Sequence, residues 1–481
     1  MLFPTLDYLV FLPLCLLLYW SVPRSLRLWV LLLSSAVFYA SWSPLYLMVL
    51  AGMAVAAWTG GLWLGQRGGG GRGADRLSRA LVALALVAPL LVFKYWDWTA
   101  WNVEQVMAFA GQPLSLPRVE LPLPVGISFF TFQAMAYAID TGRPAKAGGE
   151  APEPNLLRFG TYLAFFPQLV AGPILRRREL LPALKELSGL RDGDVGQGLF
   201  RICQGMAKKI LVADVLAVGM VDPVMSDPSR FTGLEILIAL YAYTIQIYYD
   251  FSAYTDIALG SARLFGFQLP ENFRRPYQAT CVAGFWRRWH ITLSNWVRDY
   301  VYYPLGGNRV PADQQWKVYR NIMLTLLIIG VWHGASWNFV VYGLLHGLAV
   351  AWCRFRRKTT GRGPDDPLPN ATAWAWRWFF TFHFIVLARV LFRSDDLGHA
   401  ASIMSELLDP TLVLPRFSPT AWAVLILGFA VHMSPERWRE ALGARFQRSS
   451  PVLWAATAAA TAALCVLLGS GDRLSFVYYQ F

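Results

Sequence analysis

Two histidines stand in surroundings that suit acid–base chemistry. His290 ends the segment Phe285-Trp-Arg-Arg-Trp-His290, and His333 follows Trp332 in the middle of a long apolar run. An ionisable side chain at membrane depth is costly and usually faces an internal cavity. A positioned histidine base accelerates a reaction roughly 10²–10⁴-fold. Both histidines are therefore candidate catalytic residues. The alternatives are a neutral His333 bonded to a helix carbonyl and a His290 that contacts lipid headgroups.

Two carboxylates and two arginine pairs form a second group of candidates. Asp250 and Asp256 fall among aromatic and small hydroxyl residues, and buried carboxylates need partners. The expected partners are one hydroxyl and four guanidinium groups: Ser252, Arg274, Arg275, Arg287 and Arg288. For the carboxylates the pattern favours structural ion pairs over acid–base chemistry. The arginines suit either bidentate binding of phosphate or attraction to anionic lipid headgroups.

The other chemistry-bearing residues indicate no further site. His346 follows His333 by thirteen residues and would lie on another face of a continuous helix, which favours a packing role. The five cysteines are scattered and form no CxxC pair or zinc ligand set, so we expect no metal site. P-loop, GxSxG and HExxH motifs are absent from any supporting context.

The composition excludes a soluble enzyme and a disordered chain. Of the 481 residues, 56% are apolar or aromatic and only 15% are charged, whereas soluble domains carry about 25% charged residues. Uncharged runs recur along the whole chain at lengths that can cross a bilayer. The net charge of +13 comes from basic residues in short loops, a pattern typical of inner-membrane proteins. It does not indicate nucleic-acid binding.

The apolar runs predict an all-α polytopic membrane protein with about ten or eleven transmembrane helices. The predicted spans are 8–22, 28–42, 45–64, 80–98, 124–139, 202–221, 232–250, 374–392, 419–434 and 451–469. Residues 159–175, broken by prolines and glycines, predict a re-entrant segment, and 251–320 predict interfacial helices. The run 321–352 should dip and return, because a single crossing would place the basic cluster Arg354–Lys358 outside.

The motifs in this order resemble the membrane-bound O-acyltransferase superfamily. The similarity is to its bacterial branch, typified by the membrane subunit of alginate O-acetyltransferase. The segments that carry the resemblance are Leu123–Gln133, Phe165–Ile174, Tyr249–Asp256, Phe285–His290, Asp299–Asn308, Trp332–Asn338 and the aromatic ending Phe476–Phe481. The insert Gly68–Gly71 and the loop 141–155 carry no family signal. The resemblance implies one membrane domain over 1–481, made of N-terminal helices (1–120), a motif-rich core (121–352) and C-terminal helices (353–481).

The resemblance also implies an O-acyltransferase built around a central tunnel. It places His333 at the family's near-invariant histidine and His290 at its second polar position. Supporting roles fall to Asp250, Asp256, Trp332 and Asn338. The donor implied is cytoplasmic acetyl-CoA, near Arg274, Arg275, Arg287 and Arg288. A periplasmic SGNH-type acetyltransferase would then place the acetyl group on an exopolysaccharide such as alginate, and membrane lipids would surround the chain.

Two alternatives stay open at this point. A D-alanyl transferase of the teichoic-acid type shares both histidine motifs and uses a carrier-protein thioester as its donor. A solute or proton transporter, which belongs to a different class, would also account for buried histidines and aspartates. Transporters are often built from internal repeats, and no repeat is apparent in this sequence. The prediction is therefore an enzyme.

Overall fold

The chain is helical in a computed structural model that describes residues 3–66, 72–119, 122–143, 149–361, 363, 369–411, 413 and 415–468. Within these ranges no strand occurs, which confirms the all-α prediction. The insert Gly68–Gly71, the ending Phe476–Phe481 and residues 144–148 of the loop 141–155 lie outside them.

Twenty-two α-helices follow one another in the described ranges. The first nine are α1 (Leu6–Ser21), α2 (Arg24–Ala40), α3 (Pro44–Gln66), α4 (Arg72–Leu90), α5 (Trp96–Phe109), α6 (Ile127–Thr141), α7 (Leu156–Ala164), α8 (Phe166–Leu169) and α9 (Arg177–Glu186). The next seven are α10 (Asp194–Ala207), α11 (Asp214–Leu216), α12 (Asp222–Ser226), α13 (Gly233–Leu264), α14 (Val282–Trp286), α15 (Ile291–Val297) and α16 (Trp316–His333). The last six are α17 (Trp337–Thr360), α18 (Ala371–Arg393), α19 (Leu397–Glu406), α20 (Pro419–Met433), α21 (Glu436–Gln447) and α22 (Pro451–Leu468).

Four of the described helical stretches are long and apolar enough to cross a membrane. They are Pro44–Gln66, Leu77–Phe109, Ala371–Arg393 and Pro451–Leu468. Leu6–Ser21 and Pro419–Met433 are apolar but shorter. Only 6% of the Pro451–Leu468 window is buried, so its apolar side chains point away from the protein, as lipid-facing side chains do. The total of ten or eleven crossings stays a prediction.

The chain divides into two compact units. The first comprises residues 1–202, 257–270 and 450–462, and the second comprises 203–256, 271–449 and 463–481. Both candidate histidines belong to the second unit. The assignment of 1–481 to a single domain stays a prediction.

In the first unit, the segment predicted to be re-entrant has an irregular backbone held by side chains. The helix breaks at Phe165, between α7 and α8. The Gln168 side-chain amide donates to Gln133 at 3.0 Å, and the Gln133 amide donates to the Tyr162 carbonyl at 2.8 Å. The Phe166 amide donates to the Ser35 hydroxyl at 3.1 Å. Protein groups thus satisfy the irregular backbone, which is the condition for such a segment at membrane depth.

In the second unit, the apolar run 321–352 folds into a helical hairpin. Helix α16 ends at His333, the backbone is extended at Gly334, and α17 begins at Trp337. A Cβ atom on Gly343 would meet the Leu326 carbonyl oxygen at 2.7 Å, and one on Gly347 would meet the Met323 sulfur at 2.9 Å. The two helices are therefore antiparallel and very close. The predicted return of the chain near His333 and Gly334 is present.

Two helices continue beyond their predicted ends. Helix α13 runs on to Leu264, although 251–264 were expected at the interface. Residues 251–264 contain no proline, so nothing interrupts the helix. Their side chains are almost all buried, so the polar ones face other protein groups and not the membrane surface. Helix α4 passes through a π-helical turn, Leu91–Tyr95, into α5. Pro89 cannot donate a backbone hydrogen bond, and a local π adjustment keeps the helix continuous.

Candidate functional site

His333 is the last residue of α16, and its own helix fixes its imidazole. The ring is 3% exposed, and its Nδ1 lies 2.6 Å from the carbonyl oxygen of Ile329, one turn earlier. A carbonyl oxygen only accepts hydrogen bonds, so Nδ1 carries the proton in the neutral ring. The lone pair is therefore on Nε2. This is the form of histidine that a general base requires.

His290 shows the same tautomer through a different partner. It is fully buried, has a left-handed backbone (φ 43°) and immediately precedes α15. Its Nδ1 lies 3.1 Å from Oδ1 of Asn272. The same oxygen receives the amide of Thr292 at 3.3 Å, which identifies it as the acceptor end of the Asn272 amide. Nδ1 of His290 therefore donates, and its lone pair is also on Nε2.

Trp332 joins the two candidate histidines. Its ring centroid lies 5.7 Å from that of His290 and 5.0 Å from that of His333. Both pairs are edge-on, at 71° and 83°. The sequence predicts the two histidines and Trp332 as functional residues, and the structure brings all three together in a buried aromatic cluster.

His346 lies in the same cluster, which the sequence reasoning did not anticipate. The helix between His333 and His346 is not continuous, because the hairpin turns back at Gly334. Tyr342 consequently contacts both rings, with centroids at 6.1 Å from His333 and 4.3 Å from His346. The indole of Trp286 donates to Nδ1 of His346 at 3.2 Å.

Arg389 of α18 is a buried cation beside this cluster that pattern reasoning missed. It is 1% exposed, and its guanidinium carbon lies 4.5 Å from the ring centroid of Trp289 and 5.3 Å from that of Phe392. Phe392 in turn lies 5.2 Å from His333. The signal was available, because an ionisable residue inside a predicted span, here three residues before its end, is a functional hypothesis by default.

Asn338 anchors the second helix of the hairpin. Its side-chain amide donates to the Ser394 carbonyl, just after α18, at 2.8 Å. Its backbone amide donates to the hydroxyl of Ser336, which caps α17, at 3.3 Å. Asn338 therefore ties the start of α17 to the end of α18, so its place in the structure suits a supporting role.

The two candidate carboxylates pair with lysines, which the sequence analysis did not propose. Lys208 contacts Asp256 at 2.6 Å and Ser252 at 3.2 Å. Lys209 bridges Asp250 at 2.9 Å and Asp214 at 2.8 Å. Of the expected partners, Ser252 is present in this network. These contacts fit the structural ion-pair interpretation of the carboxylates.

The four candidate arginines divide into two environments. A backbone hydrogen bond from Arg274 to Arg288 (2.9 Å) brings the two pairs next to each other. Arg274 and Arg287 are exposed. Arg275 instead donates to carbonyl oxygens at the end of α20, including those of His432 (2.9 Å) and Ser434. Its guanidinium thus satisfies carbonyls that a helix end leaves open.

Comparison with known families decides the class of protein. The profile described as MBOAT, membrane-bound O-acyltransferase family, matches residues 82–392. The chain belongs to the membrane-bound O-acyltransferase family. The matched region contains both candidate histidines, Trp332 and Arg389. The resemblance drawn from the motifs is confirmed, and the protein is an acyltransferase of the membrane.

Curated relatives agree with this assignment. A probable alginate O-acetylase, AlgI, of Pseudomonas aeruginosa is 36% identical over 393 residues, which are 81% of this chain and 71% of the relative. A peptidoglycan O-acetyltransferase of Helicobacter pylori is 35% identical over 404 residues, covering 79% of this chain and 73% of the relative. A teichoic acid D-alanyltransferase of Streptococcus thermophilus is 28% identical over 294 residues, which are 56% of this chain and 68% of the relative.

Proposed function

We propose that this acyltransferase takes an acetyl group from cytoplasmic acetyl-CoA and passes it across the inner membrane for O-acetylation of an exopolysaccharide such as alginate. The observation that carries the proposal is the orientation of His333, whose Nδ1 faces the Ile329 carbonyl at 2.6 Å. This leaves a basic Nε2 in a buried aromatic cluster. The relatives named for acetylation of alginate and peptidoglycan support a glycan as the final acceptor.

In the proposed reaction, His333 is the general base. Its Nε2 takes the proton of the acceptor hydroxyl as the oxygen attacks the thioester carbonyl carbon. The carbon–sulfur bond breaks, and the imidazolium returns the proton to the departing thiolate. If Nε2 itself attacks the carbonyl, a short-lived acyl-histidine forms and then passes its acyl group to the hydroxyl. The low exposure of the ring shields either route from bulk water.

His290 is proposed to orient the acceptor. In the tautomer set by Asn272, its Nε2 accepts a hydrogen bond and does not donate one. It can therefore hold a hydroxyl group in place, whereas stabilising an oxyanion would require a protonated ring. Trp332 lies against both imidazoles, so we assign it the role of fixing their relative position.

The phosphates of acetyl-CoA are proposed to bind at the exposed arginines. Arg274 and Arg287 are exposed, and Arg288 is adjacent to Arg274 through the backbone. Guanidinium groups bind phosphate through paired, charge-assisted hydrogen bonds. Arg275 is assigned a structural role at the end of α20.

Replacement of His333 tests the proposal. The full-length protein in detergent or lipid vesicles receives radiolabelled acetyl-CoA, and acetyl transfer is measured for His333→Gln. We expect at least a 100-fold loss with unchanged membrane insertion and melting temperature. His399→Gln is the matched control, because the His399 ring contacts the Met225 carbonyl and lies in the first turn of α19, outside the candidate cluster. Full activity in His333→Gln would overturn the catalytic role.

Delivery outside the cell is proposed to need a periplasmic SGNH-type acetyltransferase. Deleting the gene of such a partner should abolish acetylation of the polymer while leaving thioester turnover by this protein. Persistent acetylation of the polymer would contradict the relay. The alternative activity is D-alanyl transfer, for which the teichoic acid relative is named; its donor would be a carrier-protein thioester. Turnover of that thioester but not of acetyl-CoA would favour it.

A further inference from the structure

A cavity in the second unit brings two thiols and two guanidinium groups together. Its volume is about 360 Å³. The charged and sulfur-bearing residues of its lining are Cys281, Cys353, Arg356 and Arg377, and Trp352 and Phe380 are among its aromatic walls. Neither cysteine has a role in the proposed acyl transfer. Sequence spacing gave no hint of a pair, because 72 positions separate the two residues.

The two thiols face the same cavity. Cys281 and Cys353 interact with each other there. Cys281 caps α14 by accepting the amide of Gly284 at 3.3 Å. Cys353 lies on α17, seven residues before that helix ends at Thr360. It is half-buried, so a small molecule in the cavity can reach its sulfur.

We propose that Cys281 and Cys353 form a redox-sensitive dithiol that closes to a disulfide and slows acyl transfer. Arg377 and Arg356 line the same cavity, and Arg377 interacts electrostatically with Cys353. The thiolate is the species that reacts with disulfides and peroxides, and nearby cations stabilise thiolates. Disulfides in cytosolic surroundings are usually transient and regulatory.

The reaction balances with a peroxide as the oxidant. The Cys353 thiolate attacks one peroxide oxygen, the O–O bond breaks, and a sulfenic acid forms with release of water. The thiol of Cys281 then attacks that sulfur, and the S–S bond forms as a second water leaves. In sum, two thiols and one hydrogen peroxide give one disulfide and two waters. A small dithiol reverses the step by exchange.

Contacts through α14 link the thiol pair to the candidate catalytic cluster. Trp286, at the end of α14, donates to His346, and Phe285 stacks on Trp289 with centroids 5.6 Å apart. Trp289 immediately precedes His290. A disulfide requires a sulfur–sulfur distance of about 2.05 Å, so Cys281 must give up its capping geometry. The resulting shift of α14 displaces the rings that hold His290. This effect on activity rests on the proposed function.

Oxidation of the purified full-length protein tests the inference. The reduced protein in detergent is treated with hydrogen peroxide and then digested, and the linked peptides are identified by mass spectrometry. We expect a Cys281–Cys353 cross-link, at least a fivefold loss of acetyl transfer, and recovery on addition of dithiothreitol. Cys353→Ser and Cys281→Ser should keep their activity and lose the sensitivity to peroxide. Serine retains an N-cap acceptor in the second variant.

The control is Cys15→Ser, which removes a buried thiol of α1 in the first unit and should leave the peroxide response unchanged. Absence of the cross-linked peptide overturns the dithiol. A cross-link with unchanged acetyl transfer overturns the regulatory effect. If the reduced protein transfers no acetyl group, the proposed function fails. The dithiol is still tested in that case, because mass spectrometry detects the cross-linked peptides without any activity.

Discussion

The guanidinium carbon of Arg389 lies 4.5 Å from the ring centroid of Trp289, the residue that precedes His290. The same cation lies 5.3 Å from Phe392, a ring that contacts His333. One buried charge therefore touches an aromatic neighbour of each candidate catalytic histidine. Cation–π contacts gain strength when they are removed from water.

Replacement of Arg389 should impair catalysis by misplacing both rings. We expect Arg389→Met to lower kcat/KM by up to about 10²-fold, because small displacements at a reacting centre have effects of that size. Arg389→Lys keeps the charge and should recover part of the rate. The measurement is steady-state acetyl transfer over a range of pH. Equal rates for Met and Lys variants at every pH would show that the charge does not position the site.

The Asn272 amide should control which nitrogen of His290 carries its proton. Asn272→Leu removes the acceptor of Nδ1, and we expect a loss of activity of about 10²-fold. Thr292→Val is the matched control, since it removes the hydroxyl donor to Asn272 at 3.0 Å and keeps the Asn272 side chain. We expect Thr292→Val to lower acetyl transfer much less than Asn272→Leu does. A Thr292→Val loss as large as that of Asn272→Leu would contradict the assignment.

Close approach of α16 and α17 should make Gly343 intolerant of a larger side chain. A Cβ there would meet the Leu326 carbonyl oxygen at 2.7 Å, and this backbone atom cannot rotate away. We expect Gly343→Val to destabilise the protein by about 1–3 kcal/mol, measured by thermal unfolding in detergent. Gly52→Ala is the control, because a Cβ at that position meets no atom within 4 Å. Similar melting temperatures for both variants would contradict the packing.

Replacement of Lys209 should remove a cation that pairs with the buried carboxylate of Asp250. The side chains of Lys209 and Asp250 are 3% and 1% exposed. We expect Lys209→Met to lower stability by about 3–5 kcal/mol, and a second change, Asp250→Asn, to restore part of it. The exposed pair Arg230–Asp227 supplies the comparison, since Arg230→Met should have little effect. A double variant no more stable than Lys209→Met would argue against this pairing.

The hairpin also makes a prediction about topology. A reporter fused after Arg357 should read as cytoplasmic, because α17 ends in the basic cluster Arg354–Lys358 and short cytoplasmic segments retain positive charge. The paired control is a reporter after Arg24, which the charge pattern also places inside. A periplasmic signal after Arg357 together with a cytoplasmic signal after Arg24 would exclude a hairpin that enters and leaves the membrane on the cytoplasmic side.

The site residues that could be predicted from the sequence are those whose immediate neighbours along the chain are unusual. His333 and His290 stood out because each interrupts an aromatic, apolar segment, and Gly334 marked the turn of the hairpin. Contacts made across helices were not predictable. Lys208 and Lys209 sit inside an apparent span, and their partners Asp256 and Asp250 are 48 and 41 residues away along the chain. His346 is close to His333 because the chain turns back in the hairpin. A continuous helix would have kept the two rings apart.

The position of His333 at the end of α16 has one more consequence. Its Nδ1 is held by a carbonyl one turn earlier on the same helix, so this one anchor of the ring does not depend on any second helix. Side chains of neighbouring helices can then be replaced, and the space around His333 reshaped, without loss of this contact. We propose that a base held in this way can serve acceptors as different in size as alginate and peptidoglycan, the polymers for which relatives are named.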